Sequence, residues 1–275
     1  MYRTVLIALD GSRNAEKVLP YVEPMLRESG GRAVLLQVLP PAEQRPEAAA
    51  EAYLKSIKVR LSKKRIKAET GLVHGDPAVA IIREAERRQA DLVAFTSHGV
   101  GGLAQWMFGS VAQKILRGCS RPLFVARPLD EPAARVKRVL VPLDGSVGSE
   151  ATLSHATLLA RATGALVELL YVAHPQGVEA DDSKLRGWLD REKRRMQTRF
   201  CEIERSEPKL TFHQTLEEGD PATRIKERSE KHPGTVVVMG SHGRTGISRW
   251  VYGSVSEKVL QAARVPVLIA RHTPS

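Results

Sequence analysis

With 275 residues, 42% of them hydrophobic, the chain is long enough for two domains with real cores, each of roughly 130 to 140 residues. No apolar run approaches the roughly 20 residues that span a bilayer, and the N-terminus opens directly into a strand pattern with no signal peptide, so the expectation is a soluble, cytoplasmic protein. The net charge of +11 leaves a nucleic-acid partner open without favouring one, while two cysteines with no CxxC or metal spacing, Cys119 and Cys201, argue against a disulfide framework, a structural zinc or a redox role.

The chain begins with the apolar run Val5-Leu6-Ile7-Ala8-Leu9 followed by Asp10-Gly11-Ser12. From Lys55 to Lys67, charges interleave with apolar residues at helical spacing, which predicts an amphipathic helix with a basic solvent side. Thr96-Ser97-His98-Gly99 and Phe108-Gly109-Ser110-Val111 come next, and Arg121 to Ala126 is the last strand of this half. Residues 129–134 carry proline and charge with little apolar content and form a linker between domains at 1–128 and 135–275.

The same segments then return. Val139-Leu140-Val141-Pro142-Leu143-Asp144-Gly145-Ser146 repeats the opening, and Gly240-Ser241-His242-Gly243 with Tyr252-Gly253-Ser254-Val255 repeats the later loop. Matching positions differ by 134 from Val5 to Pro41 and by 144 from Gly75 to Arg127, so ten extra residues of the second half lie around its basic helix. A repeat of this length is a duplicated domain, not a solenoid.

In the second half, Val139 to Leu143 predicts a strand, about Ser149 to Ala162 a helix ending in a turn at Gly164, and Val167 to Val172 a second strand. The basic helix from Arg186 to Arg199 follows, with Leu185, Trp188, Leu189, Met196, Phe200 and Ile203 on one face. Leu210 to Leu216 is a strand; Gly219-Asp220-Pro221 starts a helix with Asp220 as N-cap and Pro221 at the first helical position. Thr235 to Met239 is a strand, a helix opens at Ser254, and Val265 to Ala270 closes the domain. Continuous apolar strands between amphipathic helices mean an α/β fold whose mainly parallel sheet is covered on both faces.

Ligands of such sheets bind outside the carboxyl ends of the strands, where strand order reverses. Asp144-Gly145-Ser146 and Gly240-Ser241-His242-Gly243 sit at such ends, and the second runs for nine residues to Gly253-Ser254 at a helix start. Glycines allow close backbone approach, and N–H groups at a helix start attract phosphate oxygens. Plainer readings stay open: Ser254 as a helix cap, Asp144 as an Asx-turn residue, His98 and His242 as structural loop residues, Trp106 and Trp250 as packing residues. Arg244 and Arg249 could neutralise phosphate, although the first half has Val100 and Gln105 there. No P-loop, no GxGxxG after the first strand, no GxSxG elbow, HExxH or EF-hand loop occurs.

These residues resemble the universal stress protein family in its tandem two-domain form. Gly240-x-x-Gly243, nine residues, then Gly253-Ser254 is similar to the pattern of its ATP-binding branch, together with Pro142-x-Asp144 and Gly219-Asp220-Pro221. The resemblance implies two Rossmann-like domains, each a five-stranded parallel sheet in the order 3-2-1-4-5 flanked by helices. It also implies ATP with Mg2+, the adenine near Asp144 and Val172, the ribose near Asp144, Met239 and Gly240, and the phosphates along Gly243, Gly253, Ser254 and Val255. Asp10, Val38, Gly99, Gly109, Ser110 and Val111 would be the weaker counterparts in the first half. The halves would pair through their last strands as a pseudo-dimer within one chain, with further homodimerisation and an unidentified protein partner left open.

The first half departs at Ala8, in place of Pro142, and at Thr96, in place of Gly240. If Gly240 is left-handed or crowded, threonine there would cost roughly 1 to 2 kcal/mol, about five- to thirtyfold in affinity, so a weaker or vacant first site is expected. The leading expectation is an ATP-binding sensor or regulator of stress response with no evident oriented base and at most weak ATP hydrolysis. A slow ATPase or phosphotransferase, and a nucleotide-free module binding nucleic acid or acidic partners through the basic helices, are the alternatives.

Overall fold

The computed structural model describes residues 2–39, 47–97, 109–127, 135–146, 149, 152–174, 182–241 and 253–271, and of residues 182–185 the backbone alone. The first half runs β1 (Thr4–Leu9), α1 (Arg13–Glu16), α2 (Leu19–Ser29), β2 (Arg32–Leu39), α3 (Glu47–Lys63), β3 (Lys67–His74), α4 (Pro77–Arg87), β4 (Leu92–Thr96), α5 (Ser110–Gly118) and β5 (Leu123–Ala126). The second runs β6 (Arg138–Pro142), α6 (Leu153–Thr163), β7 (Leu166–Ala173), α7 (Asp182–Ser206), β8 (Phe212–Glu218), α8 (Pro221–Lys231), β9 (Thr235–Gly240), α9 (Ser254–Ala262) and β10 (Val267–Ala270).

All ten strands form one sheet in the order β3-β2-β1-β4-β5-β10-β9-β6-β7-β8. Each half is parallel throughout, in the expected 3-2-1-4-5 order. The halves meet antiparallel, Leu123 opposite Ile269, Phe124 opposite Leu268 and Val125 opposite Val267. That register is symmetric about the Phe124–Leu268 pair, so a pseudo-twofold axis passes through it.

Apolar side chains alternate to the two faces. One cluster, with Ile7, Leu35, Met25, Ile57, Phe124, Val141, Phe200 and Leu268, lies under α2, α3, α6 and α7 and is continuous through both halves. The other lies under α4, α5, α8 and α9. Cys119 is buried in this second cluster, where burial pushes its thiol pKa up, as an inert small core residue.

Polar ties also cross the seam. Arg127, just after β5, donates from Nη2 to the carbonyl of Leu260 near the end of α9; Arg271, just after β10, donates to Leu116 near the end of α5. Helices α2 and α6 pack together, and Tyr2 is hydrogen-bonded to His155 of α6 with ring centroids 5.5 Å apart.

Helix starts follow the sequence closely. Asp220 caps α8, its carboxylate accepting from the Thr223 N–H at 3.4 Å and the Thr223 hydroxyl at 3.0 Å, with Pro221 first in the helix. An Asp220→Ala variant is expected to lose about 1 kcal/mol in urea unfolding, and no loss would mean that α8 is held by packing alone.

Ser149 is helical, as its place in the sequence suggests, its N–H donating to Ser146 O at 3.1 Å, and α6 runs on from Leu153, with the Thr152 hydroxyl donating to Ser149 O at 2.5 Å. Some boundaries shift for local reasons. Strands β5 and β10 start after Pro122 and Pro266, which have no N–H for the ladder and only accept, from Val93 and Val237.

Candidate functional site

Strand order reverses at β1, which lies between β2 and β4, and again at β6, between β7 and β9. A cavity of about 300 Å³ opens at the carboxyl ends of each trio. The second-half cavity is lined by Pro142, Asp144, Val172, Met239, Gly240, Gly253, Ser254 and Val255, and also by Ser149, Tyr171, His174, Trp188, Pro221, Ile225 and Ser256. The first-half cavity gathers Ala8, Asp10, Val38, Thr96, Gly109, Ser110 and Val111, together with Gln37. Gly99, Gly243, His98, His242, Val100, Gln105, Arg244, Arg249, Trp106, Trp250 and the linker 129–134 lie outside the described residues.

The turn after β6 is built to project Asp144. Its Oδ1 accepts the Ser146 N–H at 2.9 Å, as Asp10 accepts from Ser12 at 2.9 Å, so the Asx turn is present in both halves. A carboxylate has a second oxygen, and the turn is compatible with a ligand contact in the cavity that Asp144 lines. Gly145 has φ +77°, a backbone conformation that favours glycine, and the tip of the Arg195 side chain lies over it.

The far side of the cavity is a helix start. Gly253, not Ser254, is the N-cap of α9, with φ −60° and ψ 148° and no side chain to cap the first turn. Gly109 does the same for α5 at φ −60° and ψ 154°. Both turns are anchored at their base: Gly253 N–H donates to Ser241 O at 2.8 Å and Gly109 N–H to Ser97 O at 3.0 Å. Ser241 and Ser97 in turn donate to Ala270 O at 3.0 Å and Ala126 O at 2.9 Å, the last residues of β10 and β5. First-turn N–H groups of α9 and the positive end of its dipole thus border a cavity that also holds a carboxylate.

Gly240 corrects one expectation. It is the last residue of β9, laddered with Ala270, and is not among the positive-φ glycines, so a threonine there would carry no backbone strain. Thr96 ends β4 in the same way, opposite Ala126. The difference is one of space and tethering: Thr96 puts a branched side chain into the cavity wall. Ser256, whose hydroxyl donates to Gly240 O at 2.8 Å, is replaced in the first half by Ala112.

Part of the charge on the basic helices is paired with neighbours. Lys193 meets Glu218 at 2.6 Å, Arg199 meets Glu202 at 2.5 Å, Lys64 meets Glu23 at 2.5 Å and Arg60 pairs with Glu16. Among the described residues no helix is long and apolar enough to cross a membrane.

The cavity-lining residues that sequence reasoning did not single out include Ser149, Tyr171, His174, Trp188, Ile225 and Ser256. Only the ten-residue surplus around the basic helix hinted that this side of the second half had changed.

Comparison with known proteins bears on the whole chain. The sequence profile of the universal stress protein family matches residues 1–127 and 135–271. A universal stress protein of Mycolicibacterium smegmatis is 30% identical over 191 residues, which are 67% of this chain and 63% of that protein, just under two thirds of its length. One from Mycobacterium tuberculosis is 29% identical over 215 residues, 76% of this chain and 71% of that protein. The crystal structure of a universal stress protein from Archaeoglobus fulgidus superposes with a TM-score of 0.72 at 22% identity, covering 99% of this chain and 100% of that one.

Proposed function

The chain belongs to the universal stress protein family as two tandem copies, and from that premise we propose that it is a nucleotide-responsive regulator that takes Mg-ATP in its second cavity. The observation that carries the reading is the gathering of eight of the nine predicted second-half residues around one cavity at a reversal of strand order. Asp144 and Val172 would hold the base, Met239 and Gly240 would border the ribose, and Gly253, Ser254 and Val255, with Gly243 beyond the described residues, would receive the phosphates. A divalent cation would neutralise those phosphates. The chemistry asked of the chain is binding: N–H groups aligned on an anion and a carboxylate that accepts from an amino or hydroxyl group.

Regulation follows if occupancy favours one arrangement of the segment between Ser241 and Gly253 over another, because a ligand shifts an equilibrium by its differential affinity for the two states. The first cavity has Asp10, Val38, Gly109, Ser110 and Val111 in matching places but Thr96 and Ala112 where the second has Gly240 and Ser256. We expect it to bind more weakly.

Titration calorimetry of nucleotide-stripped protein with Mg-ATP is expected to give one strong site per chain. Gly253→Ala should weaken that site about tenfold or more, while Gly109→Ala leaves it unchanged. The φ and ψ at both positions are open to alanine, and at Gly109 a Cβ would meet nothing closer than Ser97 O at 3.5 Å; thermal unfolding of both variants separates ligand approach from any loss at the helix start. Absence of heat in the wild type would overturn the reading.

A further inference from the structure

The two cavities differ along one wall. Among the described residues, none of α3 lines the first cavity, whereas α7 brings Trp188 into the second. Helix α7 has 25 residues against 17 in α3, the place where the second half carries its surplus. Trp188 also rests against the core, so its indole is held by packing on one side while it lines the cavity.

This wall is fixed from below. The Tyr171 hydroxyl on β7 donates to Glu192 Oε2 at 2.9 Å, and Glu192 lies one turn beyond Trp188 on α7. The first half has Gln37 at the place of Tyr171, and its buried Oε1 has no hydrogen-bond partner among the described residues. His174, which lines the same cavity, donates from Nδ1–H to Gly219 O at 3.1 Å, which orients its ring.

The second cavity therefore has two chemically unlike ends. Toward β9 stand the uncapped first turn of α9 and its N–H groups; toward β7, on the other side of β6, stands the indole. A ligand matching both carries an anion at one end and a flat π-system at the other. We infer that Trp188 stacks on the base of the nucleotide in the second cavity and is the residue that separates nucleotides from base-free phosphates there. This rests on the Mg-ATP reading and adds to it a contact for which the first cavity has no counterpart among the described residues. Stacking reads a π-face and no hydrogen-bond pattern, so Trp188 sets affinity, while Asp144 is left to discriminate between bases.

Calorimetry of Trp188→Ala and Trp188→Phe, and fluorescence of a Trp106→Phe/Trp250→Phe protein in which Trp188 is the sole indole of the three, test it. Trp188→Ala should weaken Mg-ATP about tenfold or more, and Trp188→Phe should recover most of that loss. The emission of Trp188 should change on adding Mg-ATP and stay constant on adding tripolyphosphate. Mg-ATP affinity unchanged in Trp188→Ala, or equal losses in the alanine and phenylalanine variants, would overturn the stacking role while leaving the binding site standing. No calorimetric binding by the wild type would remove the nucleotide reading itself.

Discussion

Replacing Glu168 by valine should lower the unfolding free energy by about 3–5 kcal/mol, even though valine is what the first half carries at the matching position, Val34. Glu168 lies on β7 with none of its surface exposed, and accepts from Arg138 Nη1 at 2.5 Å, Arg228 Nε at 2.5 Å and the Thr215 hydroxyl at 2.8 Å. Both arginine side chains are less than a fifth exposed. Removing the carboxylate leaves two cations close together with little water, which is why breaking such a cluster costs more than its formation contributes. A loss below about 1 kcal/mol in urea unfolding would show that the arginines escape to solvent.

The same cluster shapes the acid response. Burial alone would raise the Glu168 pKa, but hydrogen bonds from Thr215, Arg228 and Arg138 outweigh it and hold the carboxyl below its ordinary value. Glu84 is pulled down to about 2, first by Arg87 and, against the opposing effect of burial, also by Arg88. A depressed carboxyl stabilises above its unfolded pKa, and that contribution fades as pH falls from about 4.5 through the folded value. His155 acts earlier: burial lowers its pKa to about 4, so below about 6.5 the unfolded chain binds a proton that the folded one refuses. Stability is expected to decline from pH 6.5 downward and more steeply below 4.5. A flat profile between 6.5 and 4.5 would deny the buried, neutral state of His155.

Phe124→Ala should cost about 3–5 kcal/mol and lower one common unfolding transition, not that of the first half alone. Phe124 sits on the pseudo-twofold axis, fully buried, opposite Leu268 and 5.6 Å from the ring of Tyr21. The cluster it belongs to continues from Tyr2 and Met25 to Leu159 and Phe200, so a cavity at the axis is shared by both halves. Two separated calorimetric transitions in the wild type would show that the seam does not couple them.

Much of this was legible because the determinants are local. Apolar runs located the strands, Asp220-Pro221 located a helix start to the residue, and the repeat supplied the second copy of each. The starts of β5 and β10 were misjudged because a proline there withholds an N–H. The site residues came together because each sits beside a strand end, which spacing can reveal. Trp188 escaped because helical periodicity puts it on the core face, and a residue at the overhang of a helix serves the core and the cavity at once. The reading of Thr96 as a strained replacement needed the φ of Gly240, which no letter of the sequence carries.

The antiparallel seam between β5 and β10 joins two stretches of one polypeptide. A pair of separate subunits separates on dilution, since its assembly is set by abundance; tethered partners face each other at an effective concentration on the order of millimolar, whatever the bulk value. The two cavities therefore stay in fixed stoichiometry, and the edges of β5 and β10 stay covered, when the protein is scarce as much as when it is plentiful. Dose alters how many of these molecules there are, and leaves the pairing of the two halves within each one untouched.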